Sequence, residues 1–223
     1  MNTLMIAKLI NKDWHLFKWY LMGYVLLGLL SIALMSIPSH TFFYIGMVSI
    51  ITVLIGASAH MALSTTVTEI KESQYSFIMG LPISPFDYAV SKLIGGLGIF
   101  LVCWIAIVSL LIGAIYLTPL PNGMAPIAII LCLEILIATT ILLAIGVLVG
   151  SVPVSILTMV GLNIFFNLFM FMVASMHDIG PNINQPDALF NSTALILIGG
   201  EIALILLIIT ITLSIKSRKV CFL

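Results

Sequence analysis

Three ionisable side chains lie inside long apolar stretches, where they could take part in chemistry within a membrane. Glu134 and Glu201 lie at similar distances from one end of their stretches, and His60 lies toward the opposite end of its own. A carboxylate in hydrocarbon is costly unless it is protonated, paired or facing a cavity, and these stretches contain no Lys or Arg. Two interpretations stay open. The acids are protonated hydrogen-bonding groups between helices, or they line a substrate path together with His60.

The sequence lacks the motifs of the common hydrolytic enzymes. It contains neither the GxxxxGK[ST] pattern of a nucleotide-binding loop nor the HExxH pattern of a zinc protease. Ser58 and His60 are two residues apart, so on a helix they point about 200° apart and cannot form a catalytic dyad. The three cysteines have no CxxC spacing. We therefore predict no catalytic residue, no metal site and no cofactor in this chain.

The composition excludes most soluble classes of protein. Of the 223 residues, 62% are hydrophobic and only 7% are Asp, Glu, Lys or Arg, whereas soluble domains are about 45–50% apolar and about 25% charged. Such a chain cannot cover its surface with solvated side chains. A soluble enzyme, a nucleic-acid-binding protein and a disordered regulator are therefore all excluded.

Apolar runs of about the length of a bilayer span occupy most of the chain. They are continuous rather than alternating, which favours helices over the strands of a membrane barrel. The sequence therefore predicts an all-α integral membrane protein with a single transmembrane domain over residues 1–223. Its six transmembrane helices are predicted near residues 20–37, 42–66, 93–117, 126–150, 154–176 and 194–215.

The basic residues predict the orientation of the chain. Six spans place both termini on one side. All eight Lys and Arg lie before the first span, between the second and third, or after the sixth. Basic residues are concentrated in cytoplasmic loops. Both termini and the 67–92 connection are therefore predicted to be cytoplasmic.

The first 19 residues have the pattern of an amphipathic interfacial helix. Lys8, Lys12 and Lys18 share one face, while Ile10 and Trp14 lie on the opposite face. A basic helix with aromatic residues typically lies among lipid headgroups and pairs with anionic lipid. Asp13 falls on the apolar side, which suits contact with protein better than contact with lipid.

The connection over residues 67–92, called the elbow below, combines a helix stop with a helix start. Gly80 followed by Pro82 ends a helix, and Ser84, Pro85 and Asp87 form an N-cap, a first-turn proline and a first-turn acid. A simple chain reversal needs only a few residues. The elbow is longer, charged and predicted to be rigid, which indicates a surface that a partner binds.

The elbow resembles the corresponding loop of small ABC-2-type permease subunits of bacterial exporters. The likeness rests on an acidic helix end, the segment Gly-Leu-Pro-Ile-Ser-Pro at 80–85, and the lysine before the third span. In that family the elbow carries a coupling helix that docks into a separate ATP-binding subunit, which binds ATP and Mg²⁺. The resemblance implies that these residues lie at or beside that contact: Glu69, Glu72, Leu81, Pro82, Ser84, Pro85, Phe86, Asp87 and Lys92.

The expected function is that of the permease subunit of an ATP-driven exporter in the bacterial cytoplasmic (inner) membrane. The resemblance implies a homodimer, or a pair with a similar permease, that exports an amphipathic or hydrophobic substrate. Membrane lipid is a further expected partner, and nucleic acid is not. The alternative is an integral-membrane scaffold or assembly protein without transport activity.

Overall fold

The computed structural model describes residues 3–68 and 84–218, and within that part it contains helices and no strand. Six helices are long and apolar enough to cross a membrane. This confirms the predicted all-α fold with six spans, whereas the side on which the termini lie stays a prediction. The helices are α1 (Thr3–Met35), α2 (His40–Leu63), α3 (Pro85–Leu117), α4 (Met124–Val149), α5 (Val152–Ser175) and α6 (Ser192–Ser217).

Helix α1 is a single helix of 33 residues, whereas the sequence pattern predicted an interfacial helix over 1–19 and a separate span after it. It contains no proline that would break it, and one buried stripe runs along its first half through Ile6, Leu9, Asp13, Phe17 and Leu21. At about 1.5 Å per residue the helix is about 50 Å long, which exceeds a hydrocarbon core of about 30 Å. Part of α1 therefore projects beyond the apolar layer.

Helix α4 forms the centre of the bundle. In its most apolar window 78% of the residues are buried, against 17% to 33% in the other five helices. It packs against α2, α3, α5 and α6, while α1 packs against α2 and α3. The outer helices consequently expose long apolar faces, as expected of a protein that lipid surrounds.

Two glycines near the end of α4 have different roles. Gly146 lies against Thr66, so that a Cβ added at Gly146 would overlap with the threonine side chain. Gly150 adopts a left-handed conformation with φ of 62° and ends the helix. The first glycine therefore permits close packing of α2 and α4, and the second is a C-terminal cap.

Candidate functional site: the base of the elbow and a membrane carboxyl pair

The second arm of the elbow, which is the part from Ser84 to Lys92, begins as the sequence predicted. Ser84 is the N-cap of α3, and its side-chain oxygen accepts a hydrogen bond of 3.1 Å from the backbone N–H of Asp87. Pro85 occupies the first turn, where its missing N–H leaves no helical hydrogen bond unmade. The helix start at Ser84 is therefore confirmed.

The elbow residues that the structure describes differ in exposure. Ser84 is exposed, Phe86 is half-buried, and Pro85, Asp87 and Lys92 are buried within the chain. In this arrangement only Ser84 and Phe86 of the five present surface to a partner. The other predicted contact residues, Glu69, Glu72, Leu81 and Pro82, lie outside the described residues. Docking of an ATPase at the elbow stays a prediction.

Lys92 forms a buried ion pair with Asp13. Its Nζ lies 2.8 Å from Asp13 Oδ2, and the side chains are 0% and 3% exposed. Lys12 Nζ lies 3.7 Å from the other oxygen, Asp13 Oδ1, at the surface. The carboxylate on the apolar side of α1 therefore faces protein, and its partner at 2.8 Å is a lysine that the sequence assigned to an external contact.

Two π-helical turns lie where the chain enters and leaves the elbow. These turns are Ser64–Thr68 after α2 and Ser91–Gly95 within α3. Single π-helical turns are rare and frequently occur at functional sites. The turn in α3 contains Lys92, so the ion pair and the irregular backbone coincide.

Small residues allow close packing around these turns. A Cβ added at Gly95 would lie 2.6 Å from Ile10 of α1, and one added at Gly96 would lie 3.1 Å from Leu143 of α4. The hydroxyl of Thr65 donates to the carbonyl of Met61 at 2.7 Å, within its own helix. The base of the elbow is therefore packed tightly against α1 and α4.

The first turns of α3, Pro85–Val90, pack against two other membrane helices. They pack on α6 and, less extensively, on α1. Lys216, in the last turn of α6, is also buried. This part of the elbow is thus held between the first and the last membrane helices.

The two membrane acids come together between α4 and α6. Glu134 and Glu201 are both buried, with exposures of 5% and 6%, and they are electrostatic neighbours. Within residues 3–68 and 84–218, neither carboxyl oxygen of Glu201 has a hydrogen-bond partner. Simple interhelical hydrogen bonding therefore does not account for Glu201.

His60 lies on the side of α2 that faces α1. Its Nδ1 is 3.2 Å from the Tyr24 hydroxyl, and the ring makes edge contacts with Phe17 and Tyr20 at centroid distances of 6.0 and 4.9 Å. Ser58 faces α4 instead, where its hydroxyl lies 2.7 Å from that of Thr139. His60 is thus part of an aromatic cluster with residues of α1, and none of these contacts involves Glu134 or Glu201.

The main feature that sequence reasoning missed is the partner of Asp13. The signal was present, because an acid stood on the apolar side of a helix that was otherwise basic. Helical periodicity gives the face of a residue but does not identify a partner 79 positions away. The sequence alone also gave no sign that Lys92 is buried.

The chain is a multi-pass helical membrane protein by the length and apolar character of its six helices. Among the residues that the structure describes, no group of His, Cys, Asp and Glu could hold a metal ion. Comparison with models of protein families found no match, and neither the curated proteins nor the solved structures gave one. The functional argument therefore rests on the site itself.

Proposed function

We propose that the chain is the permease subunit of an ATP-driven exporter of the ABC-2 type in a bacterial inner membrane. Both termini and the elbow face the cytoplasm in this proposal, as the distribution of basic residues favours. A separate subunit binds and hydrolyses ATP. The elbow is its docking site.

The observation that carries the proposal is the rigid attachment of the elbow's second arm. Ser84 caps a helix that continues through the π-helical turn into α3. Lys92, within that turn, is bound to Asp13 of α1. A displacement applied at Ser84 and Phe86 would therefore move α3 directly and be shared with α1, whereas a flexible loop would absorb it.

The proposed transport function also accounts for the buried acids. Glu134 on the central helix and Glu201 on α6 place two carboxyl groups in the apolar layer. Such groups are expensive there and usually mark a pathway or a proton site. The substrate class is amphipathic or hydrophobic, and the substrate leaves between this chain and a second permease copy.

The decisive experiment first searches the neighbouring reading frames for a Walker A motif and then co-expresses the chain with the ATP-binding subunit found there. The double variant Leu81→Asp/Phe86→Asp should lose co-purification with that subunit and stimulation of its ATP hydrolysis, because an unpaired charge in a docking cleft costs several kcal/mol. Ser84→Asp should weaken binding of the ATP-binding subunit less than the double variant does. Asp is also a good N-cap, so this change adds charge at an exposed position without removing the cap.

The matched control is Leu117→Asp, at the other end of α3. Leu117 is 88% exposed, so the same chemical change there should leave binding and ATP hydrolysis intact. If the elbow variants still bind the ATPase and support coupled hydrolysis, the docking role is wrong. If the unmodified chain binds no ATPase, the scaffold function is favoured instead.

A further inference from the structure

A cavity of about 50 Å³ lies inside the bundle, in the half that is remote from the elbow. The end of α1, the first half of α2, the end of α3 and the first half of α4 meet around it. Most of its lining side chains are buried, and Leu54 and Ile115 are 0% exposed. The lining includes Met35, Met47, Leu54, Ile115, Met124 and Ala128. The four innermost helices of the bundle thus share one internal space.

The wall of this cavity offers almost nothing to a water molecule. The described residues that line it are Met, Ile, Leu, Ala and one Cys, so its most polar side chain is the weakly polar thiol of Cys132. The backbone carbonyl of Cys132 already accepts a hydrogen bond of 2.8 Å from Trp104 Nε1. A buried water typically makes about three hydrogen bonds to polar groups. The cavity is therefore expected to be dry.

A second cavity, between α2, α4 and α5, has a different character. Its volume is about 20 Å³, and its lining includes the polar side chains of Ser58 and Asn163 together with Ala138. That is room for about one water molecule. Ile135 lines both cavities, so they are neighbours. The smaller cavity is suited to water, and it provides an internal comparison for the larger, apolar one.

The size and the wall of the apolar cavity define its ligand. An engineered apolar cavity of about 150 Å³ binds benzene, and apolar cavities of this kind also take up xenon. A space one third of that size is too small for benzene. A polarisable atom inside it would restore the dispersion contacts that the lining atoms lack. Met35, Met47 and Met124 have unbranched, polarisable side chains that can adjust to such an occupant.

We propose that this cavity is a binding site for small apolar molecules of about the size of a xenon atom. The ligand carries no hydrogen-bonding group, and it contacts α1, α2, α3 and α4 together. It consequently stabilises the arrangement of these four helices, because a ligand that binds only the folded chain shifts the unfolding equilibrium. Binding needs neither an ATPase nor transport, so the site and the exporter function can fail independently.

The first test follows methionine methyl groups by NMR in the full, detergent-purified chain under increasing xenon pressure. Single Met→Leu variants assign the signals. Those of Met35, Met47 and Met124 should shift and reach saturation, because the site holds one atom. The signal of Met159, which lines the second cavity, is the internal control and should change only linearly, as expected for xenon dissolved in the detergent. Linear changes at all four methionines would overturn the proposal.

Two alanines of α4 provide a matched pair of variants. Ala128→Leu should fill the apolar cavity and abolish both the saturating shift and the rise in melting temperature under xenon. Ala138→Leu makes the same change at the second cavity and should leave both effects intact. Both alanines are half-buried, so the comparison isolates the cavity. A saturating shift that persists in Ala128→Leu, or equal losses in the two variants, would overturn the proposal.

An enlarged cavity tests the same site without filling it. Leu54→Ala should leave additional space, because a core relaxes only partly around a truncated side chain. Benzene should then raise the melting temperature of Leu54→Ala and leave that of the unmodified chain unchanged. A rise of equal size in both chains, or no rise in Leu54→Ala, would overturn the proposal.

Discussion

Lys92 Nζ lies 2.8 Å from Asp13 Oδ2 in a fully buried ion pair that joins α1 to α3 across 79 residues of sequence. The pair lies where the elbow returns to the bundle, within a π-helical turn. Two charges taken out of water are costly individually, so each holds the other in place. The pair therefore fixes the first helix to the start of the third.

Removal of one partner of this pair should destabilise the protein strongly. Lys92→Met or Asp13→Leu alone takes from the remaining buried charge its partner at 2.8 Å, and we expect a loss of about 3–5 kcal/mol in the free energy of unfolding. The double variant should lose less than the sum, because neither charge remains. Thermal unfolding of the detergent-purified chain measures this coupling.

Lys18→Met is the control for the loss of a lysine from α1, and it should change stability by less than about 1 kcal/mol because Lys18 lies nearer the surface. Strict additivity of the two single changes at Asp13 and Lys92 would contradict the energetic role of the pair.

Glu201 should be dispensable for stability but not for export. Its buried carboxyl oxygens have no hydrogen-bond partner in the described part of the chain, so Glu201→Leu should stabilise the fold by about 1–3 kcal/mol. Glu201→Gln keeps a buried polar group and should give no such gain. Thermal unfolding and export assays on the same variants separate the two effects.

Export of every tested substrate at the unmodified rate by Glu201→Leu and by Glu134→Gln would remove the two acids from the substrate path. Reduced or altered export with unchanged assembly would support their role there. A fall in stability for Glu201→Leu would show that the carboxyl group has a stabilising partner.

Local signals in the sequence predicted local structure well. The cap at Ser84 depends on neighbouring residues, and the six spans depend on run length. The central position of α4 could not be predicted this way, because α3 and α6 are equally apolar. Which of several apolar helices becomes buried depends on packing between them.

In the candidate site, too, the sequence identified residues locally but did not predict how they pack together. Glu134 and Glu201 were identified because acids are rare in apolar runs, and the sequence placed them at similar depth without showing that they meet. His60 was grouped with them by polarity alone, but its contacts are with Tyr24, Tyr20 and Phe17 of α1. Polarity identifies candidate residues, and the helix face and neighbours decide which of them share a site.

Gly146 should tolerate no side chain. An added Cβ would overlap with Thr66 at the π-helical turn after α2, and overpacking of this kind costs about 1–3 kcal/mol. Gly146→Ala should therefore lower the melting temperature. Gly161→Ala, on α5 where nothing lies within 4 Å of the new Cβ, is the control and should leave it unchanged or raise it.

A further substitution can show whether the stability lost in Gly146→Ala is lost at the contact with Thr66. If Thr66→Ala partly restores the stability of Gly146→Ala, the loss arises at that contact. An equal effect of Gly146→Ala and Gly161→Ala would instead indicate that helix propensity, and not close packing of α2 on α4, sets the result.

The orientation of the chain can be tested with single cysteines in a background that lacks the native three. Asn184 is exposed in the connection between α5 and α6, and Ser217 is exposed at the last residue of α6. The positive-inside rule places Asn184 outside and Ser217 inside, because the basic residues cluster at the ends of the chain and in the elbow. A cysteine at Asn184 should react with an impermeant maleimide in intact cells, and one at Ser217 only after the cells are opened.

Both positions are exposed, so failure to react reports sidedness rather than burial. Labelling of Ser217→Cys in intact cells would contradict the cytoplasmic placement of the C-terminus, and with it the elbow's access to a cytoplasmic ATPase.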